Sequence, residues 1–282
     1  MSKLLIQPLI LGAVAYDPKV VTIWEGFKEY FAKQKFAFDY VLYSNYESQV
    51  LGHFDGQCHV AWNSPLAWIE AERLAVKRGR KASAIAMRDS DLDLTSVIVA
   101  RRNSGIASLA DLKGKRVAVG AKDSPQATLI PLELIAAAGL TPGKDFEVIY
   151  FNIGEGKHGD HIGGERDAAK ALMASNADVC CILDANRILF ATEGTLPTGA
   201  TQIVAMTEPF DHCNFTTLDD APQAQTQRFV ELLLAMSYAD PKVRPLLDME
   251  GLKQWKPGRV SGYAALNAAV DRFEFLKTFL EG

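Results

Sequence analysis

Apolar residues follow two different spacings along the first 80 residues. Short apolar runs such as LILGAVAY and FDYVLYS have the length and composition of buried strands. Between them, VVTIWEGFKEYFAKQ places apolar residues at helical spacing, among them Ile23, Trp24 and Phe27. This order of strand and helix repeats three times. It predicts an α/β fold with a parallel or mixed sheet covered by helices.

Two later segments carry helix-start signals of the same kind. SPLAWIEAERLAVKRG begins with Ser64 and Pro65, and SPQATLIPLELIAAAGL begins with Ser124 and Pro125. Serine is favoured as an N-cap and proline at the first helical position. A second α/β pattern begins near residue 100 without a linker, so we expect two lobes joined by crossing strands.

The charge balance excludes some classes of partner. The 282 residues include 30 basic and 34 acidic side chains, for a net charge of -4. This composition provides no general attraction for nucleic acid or for an anionic membrane surface. No stretch approaches the roughly 20 apolar residues of a membrane span.

The first residues, MSKLLIQPLILGAVAYDPK, place a basic residue before an apolar run, as signal peptides do. Gln7 and Pro8 interrupt that run, and no small-residue cleavage site follows. We therefore interpret it as the first strand of the fold, with Met-Ser-Lys as a natural start. This interpretation predicts a cytoplasmic protein; the alternative is a periplasmic one whose leader has been removed.

Four cysteines occur, and two of them, Cys180 and Cys181, are adjacent in the apolar run ADVCCIL. Neighbouring side chains of a strand point to opposite faces, so these two are poor partners for one disulfide or one metal ion. We expect buried, reduced thiols, which suit a cytoplasmic location.

Several stretches spread over most of the chain share features with one protein family. They are YESQVLGHFDGQCHVAWNSPLAWIEA, SVIVARRNSGIASLADLKGKRVAVG, DSPQATLIP, GERDAAKALMASNADVCCILDA and DPKVRPLLDMEGLKQWKPGRVSGYAAL. The chain resembles the phosphonate- and phosphite-binding proteins of ABC importers. The combination of DSPQATLIP with RDAA is the most specific part of this resemblance.

The resemblance implies a two-lobed, type II periplasmic-binding-protein-like fold, with mixed sheets flanked by helices and two crossover strands. One lobe would contain residues 1–98 and 203–282, and the other residues 99–202. A small anionic or zwitterionic ligand would bind in the cleft between the lobes and be enclosed by hinge closure. An ABC permease would be a partner if the protein is exported.

The segment KDSPQATLIP is the first candidate site, because a helix start offers backbone N–H groups to an anion. Ser124, Gln126 and Thr128 would add side-chain donors. The alternative is simple capping by Ser124. The family has Ser-Thr-Ser here, whereas this chain has Ser124, Pro125 and Gln126, so two hydroxyl donors are missing.

In WNSPLAW, Asn63 and Ser64 stand at the carboxyl end of a strand, where open α/β sheets bind ligands. Trp62 or Trp68 would either stack on a flat ligand or pack in the core.

Three further candidates belong to the same lobe. Tyr46 matches a family position that lines the cleft, and its alternative role is packing. Tyr16 and Asp17 follow the first strand and would face the cleft; the alternative is a turn with Pro18 at its corner.

Asp184 ends the strand VCCILDA. The resemblance implies that an acid here binds an amino group of the ligand, whereas the alternative is a helix N-cap. Asp167 matches the Asp-Ala-Ala motif of the family, and Arg166 replaces its usual histidine and would supply a charge to an anion.

GEGKHGDHIGGERDAAKAL, residues 154–172, has no counterpart in the family over its first half. His158 and His161 would ligate a divalent metal, assisted by Asp160 or Glu165. The alternatives are a flexible lid or a loop that hydrogen-bonds the ligand. DHCN would bring further metal ligands, Asp211, His212 and Cys213, from the other lobe.

These patterns favour a small-molecule binding protein, since no P-loop, dinucleotide fingerprint or nucleophile elbow occurs. The alternative is a leaderless cytoplasmic enzyme on the same fold, with His158 or His161 as general base or metal ligand. No cofactor is implied beyond that divalent metal.

Overall fold

A computed structural model describes residues 7–281, and in it the chain forms two compact units. The first contains residues 7–92, His212–Ser261 and 279–281, and the second contains Asp93–Asp211 and Gly262–Thr278. Relative to the lobes expected from the sequence, residues 93–98, 203–211 and 262–278 lie in the second unit. The predicted natural start, residues 1–3, lies outside the described residues.

The secondary structure alternates as the sequence predicts. The strands are β1 (Leu9–Val14), β2 (Phe38–Tyr43), β3 (Val60–Asn63), β4 (Ala82–Arg88), β5 (Ser96–Arg101), β6 (Arg116–Val119), β7 (Glu147–Tyr150), β8 (Val179–Leu183), β9 (Thr201–Met206), β10 (Asn214–Leu218) and β11 (Trp255–Pro257). The α-helices are α1 (Lys19–Lys33), α2 (Tyr46–Phe54), α3 (Pro65–Lys77), α4 (Ile130–Ala137), α5 (Gly163–Met173), α6 (Asp184–Thr192), α7 (Gln223–Leu234), α8 (Arg244–Glu250), α9 (Ala264–Arg272) and α10 (Lys277–Glu281).

Each unit has its own mixed sheet. The first has the order β11-β4-β10-β3-β1-β2, and the second has the order β7-β6-β8-β5-β9. In the first sheet β1 runs parallel to β2 and β3, while β10 is antiparallel to β3 and β4. In the second, β6 runs parallel to β7 and β8, while β5 is antiparallel to β8 and β9. The prediction of a mixed α/β fold is confirmed.

An aromatic core fills the first unit. The buried face of α1 includes Trp24 and Phe27, which pack near Phe215 of β10 and Trp255 of β11. Trp62 joins the same cluster, with its ring 4.6 Å from the Phe215 ring. This packing supports the core interpretation of Trp62, because the indole is enclosed by other aromatic rings.

Strand β8 separates two hydrophobic layers in the second unit. Cys180 packs in one layer with Val97 and Ala118, and Cys181 packs in the other with Ile98 and others. All four cysteines are buried free thiols. Burial raises the pKa of the Cys181 thiol to about 12, with a smaller contribution from the charge of Glu165. The expected opposite orientation of the two cysteines is confirmed.

The helix predicted after Ser124 does not start as a regular α-helix. A π-helical turn, Pro125–Leu129, comes first, and α4 follows it. Pro131 has no N–H to donate to the carbonyl of Ala127, four residues earlier. That carbonyl instead accepts a hydrogen bond from the N–H of Gly120, at 3.2 Å.

Candidate functional site

Both units bring polar side chains to the carboxyl ends of their parallel strands. In the first unit these ends form what we call the first edge, after β1, β2 and β3. It carries Tyr16, Asp17, Tyr46, Asn63 and Ser64. In the second unit the corresponding second edge follows β6, β7 and β8. It carries Ser124, Gln126, Thr128, the Gly-rich loop 154–162, Glu165 and Asp184.

A buried amide network holds Asn63 at the first edge. Gln49 donates to the Asn63 Oδ1 at 2.7 Å, and the Asn63 Nδ2 donates to the Thr216 hydroxyl at 2.9 Å. That hydroxyl in turn donates to the Asn214 Oδ1 at 2.7 Å. The Asn63 side chain is thereby fixed on both sides. Gln49, Asn214 and Thr216 were not predicted; for Asn214 and Thr216 the alternation of polar residues in NFTTL was the available signal.

Helix capping fixes two other parts of the first edge. Ser64 accepts the N–H of Ala67 at 3.1 Å, as predicted for an N-cap. Asn45 caps α2 by accepting the N–H of Ser48 at 2.8 Å, and so positions the buried Tyr46 at the first residue of the helix.

The turn after β1 involves the side chain of Asp17. Its Oδ1 accepts the N–H of Lys19 at 2.9 Å, directly before α1. The ammonium of Lys19 lies 5.6 Å from the ring centroid of half-buried Tyr16. This geometry corresponds to the turn alternative for Asp17.

The two hydroxyl groups of the second edge are used within the chain. Ser124 accepts the N–H of Ala127 at 3.2 Å, which confirms its role as an N-cap. Thr128 donates to the carbonyl of Ala121 at 2.7 Å. Both side chains are buried. The Thr128 hydroxyl, which would replace a missing family donor, already donates to the backbone.

The Gly-rich loop lies directly against the start of the π-helical turn. Asp123 Oδ2 accepts the N–H groups of Gly156 at 2.6 Å and of His158 at 3.2 Å. The side-chain amide of Gln126 donates to the carbonyl of Gly159 at 2.9 Å. His158 and Gly159 have φ values of 50° and 77°, so the loop reverses sharply here. The chain itself thus covers the helix start at which we expected an anion to bind.

Glu165 links three segments of the second edge. Its Oε2 accepts the N–H of Leu183 and the Nδ2 of Asn186, each at 2.9 Å. The Nε2 of Gln126 lies 3.4 Å from its Oε1. The carboxylate therefore ties α5 to the end of β8, to α6 and to the π-helical turn. This anchoring role was not predicted.

The proposed metal ligands of the Gly-rich loop do not converge. Within the described residues, no three of His158, Asp160, His161 and Glu165 bring ligand atoms within 4.8 Å of one another. His158 is buried, whereas His161 is exposed and its Nδ1 accepts the N–H of Gly163 at 3.1 Å. The positive φ angles of His158 and Gly159 turn the chain here, so the two histidines do not have the fixed spacing that a helix would impose.

Ion pairs engage the remaining charged candidates. Asp167 pairs with Lys170 at 3.0 Å, and Asp184 pairs with Arg187 at 2.9 Å. Asp184 is the first residue of α6, the cap position is Leu183, and no side chain caps the helix. The N-cap alternative for Asp184 is therefore wrong.

Arg166 reaches a residue outside the second edge. Its guanidinium pairs with Glu193 at 2.8 Å and lies 5.4 Å from the ring centroid of Phe190. The carboxylate of Glu193 therefore offsets the positive charge that we expected Arg166 to supply to an anion.

The DHCN segment is divided between the two units. Asp211 belongs to the second, while His212 and Cys213 belong to the first, where they lie against Asp91. Both carboxylate oxygens of Asp91 accept from Arg88, at 2.6 and 2.8 Å. Burial opposes ionisation of Asp91, yet the Arg88 guanidinium prevails and lowers its pKa to about 2. The cluster is therefore a buried ion pair with His212 beside it.

No helix within residues 7–281 is long and apolar enough to cross a membrane. Several solved structures are similar to this chain over nearly its whole length. PhnD1 from Prochlorococcus marinus, solved with methylphosphonate, is 18% identical, with a TM-score of 0.70 and coverage of 95% of this chain and 98% of that one. XAC2383 from Xanthomonas citri, solved with ATP, is 17% identical, with a TM-score of 0.72 and the same coverage. The periplasmic aliphatic sulphonate binding protein SsuA from Escherichia coli is 15% identical, with a TM-score of 0.59 and coverage of 96% and 92%.

These similarities establish the type II periplasmic-binding-protein fold. The profile of the family described as "ABC transporter, phosphonate, periplasmic substrate-binding protein" matches residues 13–263, which is most of the chain. This chain is accordingly a protein that binds a small-molecule solute. The chain belongs to the family of periplasmic substrate-binding proteins of phosphonate ABC transporters.

Proposed function

We propose that this protein binds a small anionic or zwitterionic solute through the polar side chains at the carboxyl ends of its parallel strands, and delivers it to an ABC permease. The observation that carries the proposal is the set of buried polar side chains at the second edge. Asp123 and Gln126 lie in the segment that follows β6 and are 5% and 3% exposed, and among residues 7–281 the Oδ1 of the first and the Oε1 of the second have no hydrogen-bond partner.

Buried polar groups of this kind are expensive to maintain for structure alone, and ligand sites of open α/β sheets lie at strand ends. The similar structures support the negative charge of the solute. One was solved with methylphosphonate and another with ATP, and both ligands carry a tetrahedral phosphorus group. A permease as the delivery partner follows from the family.

Native mass spectrometry of the purified protein would identify a retained solute. Calorimetric titration with methylphosphonate, inorganic phosphate and 2-aminoethylphosphonate would then measure affinity. Gln126→Ala removes a side chain of the second edge, and we expect it to weaken binding by about tenfold or more. Glu155→Gln is the matched control, since Glu155 is an exposed residue of the Gly-rich loop. Unchanged affinity in the Gln126 variant would overturn the proposed location, and absence of any retained or titrated solute would overturn the function.

A further inference from the structure

Three side chains with metal-ligating atoms converge within the first unit. Asp91, His212 and Cys213 each place one ligand atom within 4.8 Å of the other two. The Nδ1 of His212 lies 3.0 Å from the Sγ of Cys213 and 3.5 Å from the Oδ1 of Asp91. None of these residues belongs to the first or the second edge, so solute binding does not account for their convergence.

The backbone brings the three residues together from two distant parts of the chain. Asp91 ends the 3₁₀ turn Asp89–Asp91, and His212 and Cys213 directly precede β10. The N–H of His212 donates to the carbonyl oxygen of Asp91 at 2.8 Å, which fixes the two segments side by side. Asp91 and Cys213 are each 2% exposed, whereas the His212 side chain is 12% exposed. An ion can therefore enter the cluster from the His212 side.

The distances within the cluster suit a tetrahedral ion. Zn²⁺ bonds to a thiolate sulfur at about 2.3 Å and to imidazole nitrogen or carboxylate oxygen at about 2.0–2.2 Å, so tetrahedral angles separate two ligand atoms by about 3.3–3.6 Å. One distance from the His212 Nδ1 falls within that range, and the other is shorter by a fraction of an ångström. A small side-chain rotation would open it. Three protein ligands leave a fourth position for water.

Arg88 orients the carboxylate of Asp91 without using all of its acceptor capacity. The Nε and Nη2 of Arg88 donate to the two carboxylate oxygens at 2.6 and 2.8 Å. Its Nη1 is held in turn by the carbonyl oxygen of Glu250 at 2.9 Å. A carboxylate has about four lone-pair sites, so the Oδ1 of Asp91 retains one for a metal ion. Hydrogen bonds of this kind commonly hold carboxylates that ligate metals.

The formal charges of this cluster favour a divalent ion. Arg88 carries one positive charge, and its partners Asp91 and Glu250 carry one negative charge each, which leaves a net charge of -1. A divalent ion bound to Cys213 displaces the thiol proton to solvent, so two positive charges and one negative charge are added and the total becomes zero. Buried charges are tolerated when they are paired or coordinate a metal. A hard ion such as Mg²⁺ would not use the sulfur.

We propose that Asp91, His212 and Cys213 bind a borderline-soft divalent metal ion of the Zn²⁺ class. Arg88 is the positioning residue that holds the carboxylate. The site goes beyond the proposed solute binding and does not depend on it. Its ligands flank the two points at which the chain passes between the compact units, after Leu92 and before His212. The ion would therefore join the segment that precedes the first passage to the segment that follows the second.

Titration of the reduced, metal-free protein with Co²⁺ tests the site by absorption spectroscopy. We expect one Co²⁺ ion per chain and a charge-transfer band from a thiolate–cobalt bond. Added Zn²⁺ should remove the band, because thiolate ligands favour zinc. A wild-type protein that shows no thiolate–cobalt band would overturn the proposal, whatever its affinity for solutes.

Two variants test the assigned ligands. Cys213→Ala should abolish the band and weaken Zn²⁺ binding at least about 100-fold, since changes outside the ligand shell already cost about 10–100-fold. Cys58→Ala is the matched control, because Cys58 is a buried cysteine of the same unit outside the cluster, and it should keep the band. His212→Gln should weaken Zn²⁺ binding at least about tenfold while Cys213 remains.

A band that survives Cys213→Ala, or that disappears equally in Cys58→Ala, would contradict the assignment of the sulfur ligand. Unchanged Zn²⁺ affinity in His212→Gln would contradict the imidazole ligand and overturn the site as proposed. If Cys213→Ala does not fold, the cobalt spectra of the wild-type protein and of His212→Gln still decide the question.

Discussion

The side-chain amide of Gln126 lies 2.9 Å from the carbonyl oxygen of Gly159, so a residue at a helix start holds a loop 33 positions later. The same loop is held by Asp123 through two of its N–H groups. The start of this helix is therefore covered by the protein itself.

Gly159→Ala should destabilise the protein by about 2–4 kcal/mol, from the positive φ and from the contact with Ser124. Urea unfolding measures the loss. Gly143→Ala is the matched control, because Gly143 has a φ of 76° and nothing lies within 4 Å of its added methyl group. We expect about 1 kcal/mol there, from the φ alone. Equal losses in the two variants would show that the loop does not pack on Ser124.

Glu165→Gln should cost about 1–2 kcal/mol, because a glutamine whose Oε1 keeps the bonds from Leu183 and Asn186 turns its NH2 group toward the Nε2 of Gln126, which is also a donor. Chemical denaturation gives the value, with Glu155→Gln as the comparison within the same segment. A stability equal to that of the wild-type protein would contradict the anchoring role of Glu165.

Asn63→Ala should lower the free energy of unfolding by about 2–4 kcal/mol, since it leaves Gln49 and Thr216 without their shared partner. Thr216→Val should cost about 1–2 kcal/mol. A double-mutant cycle between them should give a coupling of about 0.5–2 kcal/mol. Strict additivity would mean that the two side chains do not form one network.

The buried His53 should make stability depend on pH between neutral and mildly acid conditions. Burial lowers the pKa of His53 to about 4, from a usual value of 6.5, although its hydrogen bond to His59 opposes the shift. As the pH falls from 6.5 to 4, the unfolded chain binds a proton that the folded chain does not. Stability should therefore decrease over this window, by up to about 3 kcal/mol, and should not change through His53 above it.

Urea titrations of wild-type protein and His53→Gln at several pH values would isolate this contribution. The variant should lose less stability than the wild-type protein between pH 6.5 and 4. Parallel curves for the two proteins would show that His53 is protonated equally in both states.

Local patterns predicted much of this fold. The spacing of apolar residues marked α1 and the early strands, and Ser64 and Ser124 were correctly expected to cap helices. These features depend on residues a few positions apart. The π-helical turn was not predicted, although it depends on a residue as near as Pro131. The antiparallel insertion of β10 between β3 and β4 could not be predicted from local patterns, because it depends on pairing across most of the chain.

The second edge was predicted only as a region. Strand ends and the resemblance located Ser124 and Gln126, but the contact of Gln126 with Gly159 depends on the path of a loop through positive φ angles. For the same reason the spacing of His158 and His161 did not predict their arrangement. Side chains on a helix have a fixed relation, whereas those on a turn do not.

The adjacent cysteines of β8 have a practical consequence. Cys180 and Cys181 are neighbours in sequence but lie in separate hydrophobic layers of the second unit. A thiol reagent can reach each one only when its own layer opens. Labelling rates of the two single-cysteine proteins would therefore report separately on the opening of each side of one sheet.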